Sequence, residues 1–136
     1  MLLSGLNPVQ HGAASAVKGP ILVVAGAGSG KTRVLTHRIA NLVEEHDIFP
    51  SNIMAITFTN KAANEMKERI EALVGPVTSQ MWVGTFHAIC VRILRRDGES
   101  IGYAQDFVIY DTSDQKSLIK ACYKALDIDE KRFPMK

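Results

Sequence analysis

The segment Ala25-Gly26-Ala27-Gly28-Ser29-Gly30-Lys31-Thr32 constrains the fold of this chain more than any other, because it alternates glycine with small residues just after an apolar run. Glycine adopts left-handed backbone without steric cost, so successive N–H groups can turn inward and face an anion. The run Ile21-Leu22-Val23-Val24 ahead of the loop reads as a strand ending at Ala25. After it, Val34, Leu35, Arg38, Ile39, Leu42 and Val43 recur at three-to-four spacing and predict a helix over residues 31–45. Strand, glycine loop and helix in that order predict a polyphosphate site at the positive end of the helix. Lys31 would reach the terminal phosphates as a point charge, and the Thr32 hydroxyl would ligate their magnesium. Ala25 departs from the strict pattern, which has glycine there; alanine is the smallest substitute and needs only an ordinary φ. The competing reading, a glycine-rich turn beside a chance Lys-Thr pair, leaves the strand and helix on either side unexplained.

Further on, β-branched runs keep alternating with amphipathic patterns, the rhythm of an α/β protein with a parallel sheet covered on both faces. A second strand spans residues 53–58, Thr59 or Asn60 caps a helix over 61–73, and Gly75-Pro76 ends it. A third strand, residues 81–84, leads through Thr85-Phe86-His87 into a helix reaching Arg96, with Trp82 read as buried. Beyond Gly98 the rhythm changes. A short extended run at 107–110 precedes Asp111-Thr112-Ser113-Asp114, which caps a helix over 115–126. The tail holds an acidic run, Asp127-Ile128-Asp129-Glu130, and stops at Phe133-Pro134-Met135-Lys136 without a closing element.

A chain of 136 residues buries roughly 68 to 70% of its unfolded surface, enough for stability without disulfides or metal. Cys90 and Cys122 are therefore read as core-facing thiols of a reducing, cytoplasmic compartment. No apolar stretch approaches a membrane span, so no membrane partner is expected. The net charge of +2 is too small to argue for nucleic acid alone. His11, His37 and His46 show no ligand spacing with cysteine or acid, which leaves the nucleotide's magnesium as the one expected metal.

In a doubly wound sheet ligands sit beyond the carboxyl ends of the strands, so the loops after the three strands would share one rim. Those loops carry AGAGSGKTRVLTHRI at 25–39, AITFTNKAANEMKERI at 55–70 and VGTFHAICVRILRR at 83–96, with Leu6-Asn7-Pro8-Val9-Gln10 ahead of the first. In these four ordered blocks the chain resembles the amino-terminal part of bacterial DNA helicases of the UvrD/PcrA/Rep type, superfamily one. The resemblance implies a phosphate-loop motor of RecA-like fold that uses ATP and Mg2+ to move on single-stranded DNA and separate duplex DNA. Alanine at position 25 is a common variant in that family. Gln10 would read the adenine edge, and Ala25, Gly26, Ala27, Gly28, Ser29, Gly30, Lys31, Thr32 and Arg33 would hold the phosphates and magnesium, with Lys31 and Thr32 as the catalytic pair. Phe58, Thr59 and Asn60 would meet single-stranded DNA, the ring as a stacking face and the polar pair at phosphates. Thr85, Phe86 and His87 match the next DNA-facing block. Four of these also have a structural reading: Phe58 as core, Thr59, Asn60 and His87 as helix caps. Arg92, Arg95 and Arg96 make a basic cluster that reads first as a solvated helix face and second as a contact with DNA.

Hydrolysis also needs an acidic pair and arginines at the γ-phosphate, and no such block follows a strand here; Glu44-Glu45 lies at a helix end. In the family those parts come later. The resemblance therefore implies that residues 1–110 are the first part of the motor domain and 111–136 the start of an inserted helical subdomain. Such a piece is expected to bind nucleotide without hydrolysing it, with repair or replication proteins as partners of the whole. Two other classes share the loop. A small-molecule kinase of the phosphate-loop type would add an acceptor pocket and an arginine-rich lid, and a nucleotide-gated DNA-binding module would act without hydrolysis.

Overall fold

Two short strands and the helix between them form the frame. The computed structural model describes residues 2–129 and 132–134; Glu130, Met135 and Lys136 of the tail lie outside the described residues. Strand β1 (Met54–Thr57) and strand β2 (Trp82–Thr85) pair in parallel, with Met54 opposite Trp82 and Thr57 opposite Thr85. Parallel neighbours need a crossover, and helix α3 (Asn60–Val74) supplies it, packing back on both strands. Thr59 caps α3 by accepting the Ala62 N–H at 3.1 Å, and Gly75 ends it with φ +78.

Helix α2 (Lys31–Glu44) packs on α3, and helix α1 (Pro8–Ser15) packs on α2. The core lies where these meet the sheet: Ile39 of α2, Ile53 and Ala55 of the first strand region, Met66 and Ile70 of α3, and Met81 and Val83 of the second. Each larger side chain there contributes on the order of 1.5 to 3 kcal/mol by leaving water. Helix α1 is tied down twice, by the buried Ala14 against its neighbours and by the Arg38 guanidinium, which donates to the Ala13 carbonyl at 3.1 Å and to that of Ala16.

The expected first strand does not form. Residues 21–25 join no ladder among the described residues, and the sheet has two strands where three were expected. A strand exists only through its hydrogen-bonded neighbour, and here Leu22 and Val24 stand 88% and 89% exposed. The sheet is also not covered on both faces: Ala55 and Val83 are buried, while Met54 and Ile56 on the opposite side of β1 are exposed. Over β2 that side is closed by helix α4 (Phe86–Asp97), where a Cβ on Gly84 would stand 3.5 Å from Ala88 Cβ.

The chain gathers into two compact units, residues 1–93 and 94–136. In the second, the end of α4 passes through a 3-10 turn (Gly98–Ile101), and Arg95 lies 5.8 Å from the centre of the Phe107 ring. Among the described residues, 107–110 pair with no strand, and helix α5 (Thr112–Ala125) starts three residues earlier than expected because Asp111 itself is its cap. The thiols are not core groups either. Cys90 on α4 is half-buried, and Cys122 is exposed on α5, a helix with no buried residue. Among the described residues no helix is long and apolar enough to cross a membrane, and no three His, Cys, Asp or Glu side chains gather as a metal cluster.

Candidate nucleotide and nucleic-acid site

Gly28 and Gly30 take φ of +75 and +83, the left-handed backbone that only glycine accepts cheaply. The turn between them is closed by Ser29, whose N–H and hydroxyl both donate to the Gly26 carbonyl, at 3.3 and 2.6 Å. Helix α2 starts at the next residue. Of the five α-helices among the described residues, α1, α3, α4 and α5 each have a side-chain oxygen accepting from a first-turn N–H: Asn7, Thr59, Thr85 and Asp111. Helix α2 begins at Gly30 with no side-chain cap. Its first-turn amides and its positive end are therefore left for an external acceptor beside the glycine loop.

Lys31 projects back across this loop, its ammonium donating to the Ala25 carbonyl at 3.1 Å and the Gly26 carbonyl at 2.6 Å. Thr32 is exposed one residue on. A cavity of about 230 Å³ opens beside the loop, lined by Asn7, Gln10, Ala13, Val24, Ala25, Ser29 and Lys31 among others. Left-handed glycines, open amides, a lysine and a threonine hydroxyl form a donor set that fits a polyphosphate with one metal ion. Thr32 would give that ion its one protein ligand.

Two of the expected nucleotide residues have other work in this arrangement. Gln10 donates from Nε2 to the Ser29 carbonyl at 3.0 Å, while its Oε1 accepts the Asn7 N–H at 3.1 Å. It thus clasps the loop to the start of α1, and a Cβ on Gly30 would stand 2.9 Å from Gln10 Nε2 and push that amide aside. Arg33 donates to the Gly5 carbonyl at 2.8 Å and anchors the amino-terminal turn. Sequence reasoning missed α1 and the part played by Asn7. The signal was present: Asn-Pro-x-Gln is a capping box with proline at the first helical position.

The second cluster sits at the carboxyl ends of β1 and β2. Thr57 and Thr85 are register partners, so Phe58 and Phe86, each the following residue, leave the sheet at one level on neighbouring strands. Phe58 is 99% exposed and Phe86 62% exposed. A core role for Phe58 is thereby removed. Thr59 and Thr85 cap their helices, Asn60 is the first residue of α3, and His87 is exposed with its ring edge-on to Phe86 at 6.5 Å. Two free aromatic faces among polar helix starts suit an unpaired nucleic-acid strand, whose bases stack while its phosphates take N–H and hydroxyl donors. The ladder joins these two tips only; residues 21–25 do not extend it toward the glycine loop. Trp82 is not buried as expected but half-buried, with the Arg92 guanidinium 4.1 Å over its ring.

A glycine loop under an uncapped helix and two aromatic strand tips make up the candidate site, and sequence comparison fixes the family. The chain belongs to the UvrD/REP helicase N-terminal domain family, which it matches over residues 6–136. Over 132 residues, 97% of the chain, it is 59% identical to the ATP-dependent DNA helicase PcrA of Bacillus subtilis strain 168. It is 57% identical to the PcrA helicase of Staphylococcus epidermidis strain RP62A and 56% identical to that of Staphylococcus aureus strain Mu50 over the same share. The chain spans 18% of the length of these curated relatives.

Proposed function

We propose that this chain is the nucleotide-binding and strand-gripping part of an ATP-dependent DNA helicase of RecA-like fold. The observation that carries the reading is the uncapped start of α2 directly after the left-handed Gly28 and Gly30, with Lys31 reaching over the loop. Loop amides and the helix end would cradle the phosphates, Lys31 would exchange its two carbonyl partners for phosphate oxygens, and Thr32 would turn its hydroxyl to magnesium. Bound magnesium ATP supplies the free energy of phosphoryl transfer that drives movement along DNA. Gln10, at the mouth of the same cavity, would give its amide to the adenine edge on releasing Ser29. Phe58 and Phe86 would stack bases while Thr59, Asn60, Thr85 and His87 hold the backbone of single-stranded DNA. In this reading residues 1–110 belong to the motor domain and 111–136 begin a helical insertion, in a cytoplasmic protein that also engages duplex DNA.

The test is titration of the chain with magnesium ADP, followed by an assay of phosphate release from ATP. Binding is expected, weakened at least tenfold by Lys31→Ala, without measurable turnover. Saturable binding unchanged by Lys31→Ala removes the phosphate-loop assignment. Single-stranded oligonucleotide titrated at several salt concentrations tests the tips. A salt slope marks phosphate contacts, whereas a phosphate-loop kinase would bind no oligonucleotide at all.

A further inference from the structure

Strand β2 passes into α4 with no linking residue: Thr85 ends the one and Phe86 begins the other. The bend at this corner decides where Phe86 and His87 point, yet the corner itself holds one side-chain bond, from the Ala88 N–H to Thr85 Oγ1 at 3.2 Å. A second brace spans the corner from outside. Arg92, almost two turns up α4, returns to the start of β2, where its guanidinium lies 4.1 Å from the centre of the Trp82 ring and its Nη1 donates to the Met81 carbonyl at 3.1 Å. Met81 is a core residue, 2% exposed, so the carbonyl that Arg92 holds belongs to rigid structure. Indole is the strongest aromatic partner for a cation, and a planar guanidinium can stack and donate at once.

We propose that Arg92 is a positioning residue for the strand-end site: stacked on Trp82 and tied to the Met81 carbonyl, it sets the β2–α4 angle at which Phe86 and His87 meet single-stranded nucleic acid. The proposal rests on the reading that these tips bind such a strand. It gives Arg92 a role distinct from contact with phosphate, since its guanidinium faces an indole and a carbonyl on its own chain.

The test measures binding of a labelled oligothymidylate by the full chain and its Arg92→Gln and Arg92→Lys variants over a range of salt. Glutamine keeps a donor but loses the cation, and the expected result is affinity about five- to tenfold weaker at an unchanged salt slope. Lysine, which keeps the charge over the ring, is expected to recover most of the affinity. Trp82 is the chain's only tryptophan, so its emission should shift in Arg92→Gln and stay near its original position in Arg92→Lys. Trp82→Leu removes the ring by another route and is expected to weaken binding to a similar extent, with no further loss when combined with Arg92→Gln. If Arg92→Gln does not fold, the Trp82→Leu result decides. Affinity untouched by either substitution overturns the proposal, as does a salt slope smaller by about one, which would place Arg92 on a phosphate. Absence of oligonucleotide binding by the unaltered chain sinks the strand-binding reading, and the proposal with it, whatever the variants do.

Discussion

Gly30→Ala, compared with Gly28→Ala, tests whether the glycine loop and Gln10 act as one unit. Both positions have left-handed backbone, φ +83 and +75, which costs an alanine about 1 to 2 kcal/mol. They differ in their surroundings: a Cβ on Gly28 meets nothing within 4 Å, whereas one on Gly30 would stand 2.9 Å from Gln10 Nε2. That amide is the end of a flexible side chain, so it moves aside rather than straining the backbone. What it gives up is the hydrogen bond to the Ser29 carbonyl, worth about 1 kcal/mol. Gly28→Ala should then cost about 1 to 2 kcal/mol and Gly30→Ala about 2 to 3. In a Gln10→Ala background the two should cost the same, because there is no amide left to displace. Urea unfolding followed by Trp82 emission measures each loss, and magnesium ADP titration shows whether the loop still binds. Equal losses in the unaltered chain, or a gap that persists without Gln10, would refute the reasoning.

Phe58→Ala should leave unfolding unchanged, since the ring is 99% exposed, yet weaken single-stranded DNA binding by about 1 to 3 kcal/mol in the same titration. Unchanged affinity would remove Phe58 from the interface. Ile70, 0% exposed in the centre of the core, should cost about 2 to 5 kcal/mol as alanine, read from urea midpoints. The Asp111 carboxyl titrates below its ordinary range, chiefly because it accepts the Asp114 backbone N–H, so its cap on α5 is in place above the unfolded value of about 3.9 and is lost as pH falls through the lowered one. Far-UV circular dichroism should show α5 helicity flat from neutral pH to about pH 4 and falling below it, and Asp111→Asn should flatten that fall. A decline already under way at pH 6 would contradict this.

Much of the helical order is legible from the residues alone. The predicted helix over 31–45 forms as Lys31–Glu44, and that over 61–73 as Asn60–Val74, because apolar spacing, a threonine cap and a terminal glycine act within a few residues of one another. Pairing is not local in this way. Nothing in Ile21-Leu22-Val23-Val24 reveals whether a neighbour will lie beside it, and among the described residues none does. The register of Thr57 with Thr85 is hidden for the same reason, although it places the two aromatic tips side by side. Phe58 illustrates a third limit: an apolar residue at a strand end reads equally well as core or surface, and only the path of the chain past Thr57 decides between them. Gln10 has two local meanings, an adenine reader by resemblance and a capping residue by its spacing from Asn7. The first reading hid the second, and α1 with it.

The register of Thr57 with Thr85 also fixes a length. Neighbouring strands in a ladder lie about 4.8 Å apart, and Phe58 and Phe86 follow the paired threonines with no slack between. The spacing of the two chains where the rings depart is thus gauged by peptide hydrogen bonds. Repacking of the core beneath would leave that gauge intact, while a one-residue slip of β2 would reset which residues stand side by side at the two tips.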